Sequence, residues 1–233
     1  MDLTILITTW PRYLERIEYL KQTLESLKKV NTTNLKVEKV ISSEVENSIY
    51  LNDLKKLTKE YDYSLLLHKE KPNIGSNLNF ANSKINGSFI LYIQDDFICN
   101  DSLNIIDDIK FLKRHTDYGL LRYYRYHKNR YSNNEIEKGY FEVLKDVNNY
   151  YSDNPHLKTK WFHNVVGIYG TKDNSQSEHH MNFCAKKSPI KIAMKVNEDP
   201  IKPFFTHIGY TSSMTEKWLN HSKNKAVSNE KNH

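Results

Sequence analysis

Cysteine is scarce in this chain: Cys99 and Cys184 are the two among 233 residues. Their spacing matches neither a metal-ligand motif nor a disulfide framework, which points to a reducing compartment. No apolar run approaches the roughly 20 residues that a membrane-spanning helix needs. Strand-like sequence already begins at Leu3 without a basic flank, so no secretory leader is expected. The expected location is cytoplasmic, with peripheral association at a membrane left open. Glycine numbers seven. None of them builds a phosphate-cradling loop after the first strand, where the chain reads Thr8-Thr9-Trp10-Pro11-Arg12. Acidic charge is in the minority, with 28 Asp and Glu against 34 Lys and Arg, leaving a net charge of +6. That balance suits nucleic acid, an anionic membrane surface or a phosphate-bearing substrate, although the lysines are spread rather than clustered.

What is present fits a soluble globular protein, with 38% hydrophobic and 27% charged residues. Leu3–Thr9 is apolar and β-branched and predicts a buried strand. Leu14, Ile17, Leu20, Leu24 and Leu27 recur at helical spacing. Strands are then expected at Val37–Ser42, Tyr63–His68 and Ser88–Ile93, with helices around Leu51–Leu57 and Ile74–Ile85 between them. This alternation predicts an α/β fold, a mostly parallel sheet with helices on both faces, whose ligands bind at the carboxyl ends of the strands. Beyond it, helices are expected over Leu103–Arg114, capped by Asp101 or Ser102, and over Ser177–Lys187. Further strands are expected at Tyr118–Tyr126 and Phe204–Thr206, and Trp161–Tyr169 reads as a short helix or an irregular wall.

The sharpest motif is Gln94-Asp95-Asp96, a carboxylate pair where the Ser88–Ile93 strand runs out. Adjacent carboxylates repel by a few kcal/mol when partly buried, roughly, unless a cation compensates. Upstream stands the turn Lys71-Pro72-Asn73-Ile74-Gly75, then a helix, then the break Asn86-Gly87. Asn73, Gly75, Asn79 or Asn82, Gly87, the strand and Asp95-Asp96 follow an order that resembles GT-A glycosyltransferases, especially those of family 2. The likeness covers about the first hundred residues well.

The resemblance implies a GT-A fold, with residues 1–98 as the nucleotide-sugar-binding half and 99–233 as the acceptor-binding half of one domain. It implies that Asp96 coordinates Mg²⁺ or Mn²⁺, with His207 as a further ligand, and that Asp95 approaches the ribose or the metal's water shell. Thr8, Thr9, Arg12, Glu44, Lys71, Asn73, Gly75 and Asn79 are the other expected donor contacts. Arg12 suits a diphosphate bidentately. Each of these also has a plain structural role open to it, as a surface arginine, a loop lysine or a helix cap. Glu178 falls where the family carries its catalytic base, with Glu198-Asp199 in reserve; it equally suits a helix first turn. Trp161 and His163 are expected to line the acceptor cleft. The activity implied is a metal-dependent, inverting transfer of sugar from a nucleotide-diphosphate donor, a UDP-sugar, to a hydroxyl acceptor such as a glycan, as in polysaccharide biosynthesis. Three alternatives stand beside it. A nucleotidyltransferase would carry a Gly-rich, basic loop where Thr8–Arg12 stands. A nucleic-acid-binding module would use the interleaved rings and bases of Tyr123–Tyr131, although nucleic acid is not the expected partner. A catalytically inactive GT-A relative would only bind.

Overall fold

The computed structural model describes residues 1–10, 14–44, 48–69, 73–123, 131–172, 176–197 and 202–209. The chain opens with β1 (Leu3–Thr9), α1 (Leu14–Ser26), a 3-10 turn (Leu27–Lys29) and β2 (Val30–Asn31). β3 (Val37–Glu44), α2 (Ser48–Glu60), β4 (Ser64–His68), α3 (Ile74–Lys84) and β5 (Phe89–Gln94) complete the alternating part. Then come β6 (Phe97–Cys99), β7 (Leu103–Asn104), α4 (Ile105–Arg114), β8 (Tyr118–Arg122), β9 (Tyr131–Glu137), β10 (Tyr140–Val143) and β11 (His156–Thr159). α5 (Phe162–Val166), α6 (Gln176–Lys187), β12 (Lys191–Lys195) and β13 (Phe205–His207) follow.

Among the described residues, nine strands form the main sheet in the order β4-β3-β1-β5-β11-β8-β12-β10-β9. The first four run parallel, as right-handed strand–helix–strand crossovers require. β11 enters antiparallel between β5 and β8, and the hairpin β9–β10 closes the far edge. β13 pairs with β6 in a separate two-stranded ladder, and β2 pairs with β7 in another.

Side chains alternate across β5. Phe89, Leu91 and Ile93 join one apolar cluster with α1, α2 and α4, whereas Ile90 and Tyr92 join another with α3, α5 and α6. Register brings Thr8 level with Gln94, Thr9 with Ser43, and Glu44 with His68. The polar loop motifs therefore meet on one edge, the carboxyl edge of the parallel strands.

One expectation changes at the start of a helix, and one strand is new. The 105–114 helix starts after β7 rather than at an Asp101 or Ser102 cap; its N-cap is Asn104, whose side chain makes no capping bond. β11, for which the sequence gives no strand signal, follows Asn154-Pro155, because its polar residues are matched inside the fold and not by neighbours in sequence. Of the Tyr123–Tyr131 stretch, positions 124–130 lie outside the described residues. Tyr123 itself is buried, and its hydroxyl donates to Asp108 at 2.8 Å.

Candidate active site

β5 ends at Gln94, and the next two residues turn into β6. That turn buries both carboxylates, Asp95 at 0% and Asp96 at 4% exposure. Asp95 is pinned from several sides. Thr9 Oγ1 donates to its Oδ2 at 2.5 Å, its backbone N–H donates to Thr8 O at 3.1 Å, and Thr23 Oγ1 donates to its carbonyl at 2.8 Å. Arg16 spans the pair, ion-paired to Asp95 Oδ1 and to Asp96 Oδ2 at 2.7 Å. Burial raises the Asp95 carboxyl, and neighbouring Asp96 adds to this against the pull of Arg16, leaving it at about 6. Asp96 moves the other way: burial raises it, but the hydrogen bond from His207 and the charge of Arg16 outweigh that and hold it below its ordinary value.

His207 arrives on β13. Nε2 sits 3.1 Å from Asp96 Oδ2, and its ring packs 4.8 Å from that of Phe97. The next backbone N–H, of Ile208, donates to Asp96 O at 2.8 Å. Gly209 closes over the carboxylate; a Cβ there would lie 2.4 Å from Asp96 Oδ2, so a larger residue cannot stand there without moving Asp96. Asp96 Oδ1 is buried and has no hydrogen-bond partner among the described residues. Orphaned buried oxygens are rare and call for an explanation such as an ion. A carboxylate oxygen beside an imidazole nitrogen is a donor set that suits Mn²⁺. Among the described residues no group of three or more His, Cys, Asp or Glu gathers to hold a metal, so Asp96 and His207 fit a divalent cation as a two-residue donor set.

The other expected donor contacts line the same edge but differ in how free they are. The Thr8 hydroxyl bonds the Tyr92 hydroxyl at 3.0 Å, so both β1 threonines are engaged within the fold. Glu44 is buried at the end of β3. Asn73 caps α3, accepting from Ser76 N at 3.0 Å. Gly75 lets the 167–172 connection approach: a Cβ would lie 2.0 Å from Gly170 O and 3.0 Å from Ser177 Oγ. Asn79 clamps that connection, donating to Tyr169 O at 3.0 Å and accepting from Tyr169 N at 2.9 Å. Arg12, Lys71, Glu198 and Asp199 lie outside the described residues.

The Gly75 contact brings the N-terminus of α6, with Glu178, next to that of α3. Glu178 Oε1 accepts from the Asp153 backbone N–H at 3.2 Å. Asp153 is buried, takes a 2.7 Å bond from Tyr151 Oη, and has its carboxyl raised by burial, then by Glu178, to about 7. Beneath lies a web that the sequence does not announce. Lys158 on β11 is fully buried; its Nζ donates to His163 Nε2 at 2.8 Å and to Tyr169 Oη at 3.2 Å. Burial lowers Lys158, against the attraction of Asp153, to about 7. His163 Nδ1 donates to Gly167 O at 2.9 Å, which leaves Nε2 as the acceptor. Burial, then Lys158, lowers its imidazole to about 3. His163 is thus woven into the wall of the site, while Trp161 is 36% exposed on the outside of α5.

Arg16, Asp153 and Lys158 are the residues that sequence reasoning missed. For Arg16 a signal existed: it stands four and seven residues before Leu20 and Thr23, both buried on the inner side of α1.

No family model matches the sequence, and no curated protein matches it. Solved structures do. S. aureus TarS 1-349 superposes with a TM-score of 0.61 at 16% identity over 83% of this chain and 58% of that one. The same protein in complex with UDP-GlcNAc gives 0.57 at 13% identity over 91% and 62%. The mannosyltransferase PcManGT from Pyrobaculum calidifontis, in complex with GDP-Man and Mn²⁺, gives 0.61 at 11% identity over 85% and 58%. The chain spans less than two thirds of each of these relatives. At such identities the likeness is one of fold, and that fold is the GT-A architecture of glycosyltransferases.

Proposed function

We propose that this chain moves a sugar from a nucleotide-diphosphate donor, a UDP-sugar, to a hydroxyl of an acceptor such as a glycan, with inversion at the anomeric carbon. One observation carries the reading: a buried acidic pair with an unsatisfied Asp96 oxygen at the carboxyl edge of a GT-A sheet. The complexes of TarS with UDP-GlcNAc and of PcManGT with GDP-Man support the donor class. Asp96 and His207 are the residues that would hold Mn²⁺ or Mg²⁺, and a cation bound there supplies charge stabilisation for a departing diphosphate. Arg16 and Thr9 keep the pair in place, so that little reorganisation accompanies reaction. Glu178, fixed through one oxygen by Asp153 N–H, takes the proton of the acceptor hydroxyl as that oxygen bonds the anomeric carbon and the bond to the diphosphate breaks.

The test is a thermal-shift panel of UDP, GDP and UDP-GlcNAc, each with and without Mn²⁺. A UDP shift that needs the cation and disappears in Asp96→Ala is the expected result. Arg16 favours a second reading, because it already supplies a positive charge to both carboxylates. A relative that binds the nucleotide without turnover would show the same UDP shift with or without Mn²⁺ and release no UDP from a UDP-sugar.

A further inference from the structure

The helices on the two faces of the main sheet differ in character. α1, α2 and α4 mix their basic residues with Glu15, Glu18, Glu25, Asp53, Glu60 and Asp107. On the other face, α3, α5, α6 and the segments joining α5 to its neighbours carry Lys84, Lys160, Lys172, Lys186 and Lys187. Among the described residues of those helices and joining segments the one carboxylate is Glu178, which turns to the Asp153 backbone; the 144–149 segment packed on α6 adds Lys145 and Asp146. The same face exposes large apolar side chains. Trp161 and Val165 lie one turn apart on the outside of α5, whose Phe162 and Val166 point inward; they are 36% and 44% exposed. Ile168 follows at 67%, and Phe183 stands at 56% on the outside of α6, which buries Met181 and Ala185 inward. Lys187 Nζ lies 4.1 Å over the Phe183 ring.

We propose that the outer face of α5 and α6 is a docking surface for an anionic lipid bilayer. Bulky apolar side chains flanked by lysines that outnumber the carboxylates of the described residues are what an interfacial surface needs: the rings and aliphatic groups enter the headgroup boundary while the ammonium groups stay at its charged plane. A second copy of the chain fits poorly, since apposing two such faces brings lysine against lysine. Nucleic acid fits poorly too, since an exposed isoleucine and valine offer nothing to a phosphate backbone. The N-terminus of α6 carries Glu178 to the carboxyl edge of the sheet, so docking sets the candidate site beside the membrane surface. Charge and exposure alone mark the docking surface, whether or not the catalytic reading holds.

Co-sedimentation of the full chain with vesicles tests it. Binding to phosphatidylcholine vesicles holding about a third phosphatidylglycerol should exceed binding to pure phosphatidylcholine at least about tenfold, and should weaken as salt rises from about 0.1 to about 0.5 M. Lys186→Ala with Lys187→Ala should lower it about twenty-five-fold, near fivefold for each lysine. Ile168→Ser with Phe183→Ser should lower it about tenfold or more without changing the melting temperature. Equal affinity for the two lipids, no affinity for either, or unchanged binding in both double variants would overturn the proposal. So would a dimer by light scattering that Ile168→Ser with Phe183→Ser returns to monomer. UDP-induced stabilisation measured in solution alongside separates the two readings: its persistence with failed vesicle binding sinks the docking surface alone.

Discussion

Replacing Arg16 by methionine probes the site at its electrostatic centre. The guanidinium lies across two carboxylates that are almost wholly buried. At about 4 Å and an effective dielectric near 20, each contact is worth about 4 kcal/mol before desolvation is counted. Removing one partner from a buried ion pair costs about 3–5 kcal/mol, because it strands the other charge. For a domain of this size that lowers the melting temperature by about 10 °C. Protonation gives the variant an escape. Burial and Asp96 already hold Asp95 up at about 6 with Arg16 present, and without Arg16 it rises further. The folded variant then binds a proton that the unfolded chain, with a carboxyl near 3.8, releases. Its stability therefore falls as pH rises through that window, and the deficit against the parent protein is larger near pH 8 than near pH 5.5. Mn²⁺ should restore part of the loss by taking the place of the guanidinium charge, about 2.7 kcal/mol at a hundred times its dissociation constant. Thermal denaturation of both proteins at the two pH values, with and without Mn²⁺, measures all of this. A variant that melts within about 1 °C of the parent near pH 8, or with the same deficit at both pH values, refutes the electrostatic account.

Glu178→Gln should reduce turnover about a hundred- to ten-thousand-fold while leaving UDP-induced stabilisation unchanged. Full activity in that variant, followed as UDP release from a UDP-sugar, removes Glu178 from the base role. Lys158 is held down at about 7 by burial, against 10.5 in the unfolded chain. Between those values the unfolded state binds the extra proton, so the contribution of Lys158 to stability rises with pH from about 7 to about 10. Lys158→Met should flatten that rise in a plot of melting temperature against pH; parallel curves for variant and parent would show that Lys158 is not the titrating group.

Much of the site edge is legible in the chain because it is built from local signals. Leu3–Thr9 appears with the bounds expected, and Ile74–Lys84 ends one residue short of its expected bound. The apolar strand running into Asp95-Asp96 marks the turn where the structure buries them. The features that stay hidden depend on partners far away in sequence. β11 reads His-Leu-Lys-Thr, and no strand pattern shows, since its buried Lys158 is matched by His163 and Tyr169 and by the rings of Tyr92 and Tyr169 about it. Trp161 and His163 look alike as acceptor candidates in sequence. The short helix α5 separates them, turning the first outward and the second into the Lys158 web. Arg16 meets the acidic pair because of how α1 packs beside the end of β5, which periodicity does not state.

Charge at the acidic pair also predicts how donor and cation depend on each other. Two ionised carboxylates and one guanidinium leave an excess negative charge at the place proposed to receive a diphosphate. Bare UDP should be repelled by that excess, whereas UDP accompanied by a divalent cation should balance it. Asp95→Asn keeps the shape of the turn and removes one negative charge, leaving Arg16 paired with Asp96 alone. UDP should then stabilise the variant without Mn²⁺ more than it stabilises the parent, and the further gain from adding Mn²⁺ should shrink. About fivefold in affinity, or roughly 1 kcal/mol, is the change expected from one partly screened charge near the diphosphate. Titration calorimetry with UDP, with and without Mn²⁺, reads the two affinities directly. If Asp95→Asn leaves the cation dependence of UDP binding as it is in the parent, the excess charge is not what couples the two ligands, and Asp96 with His207 must account for the coupling unaided.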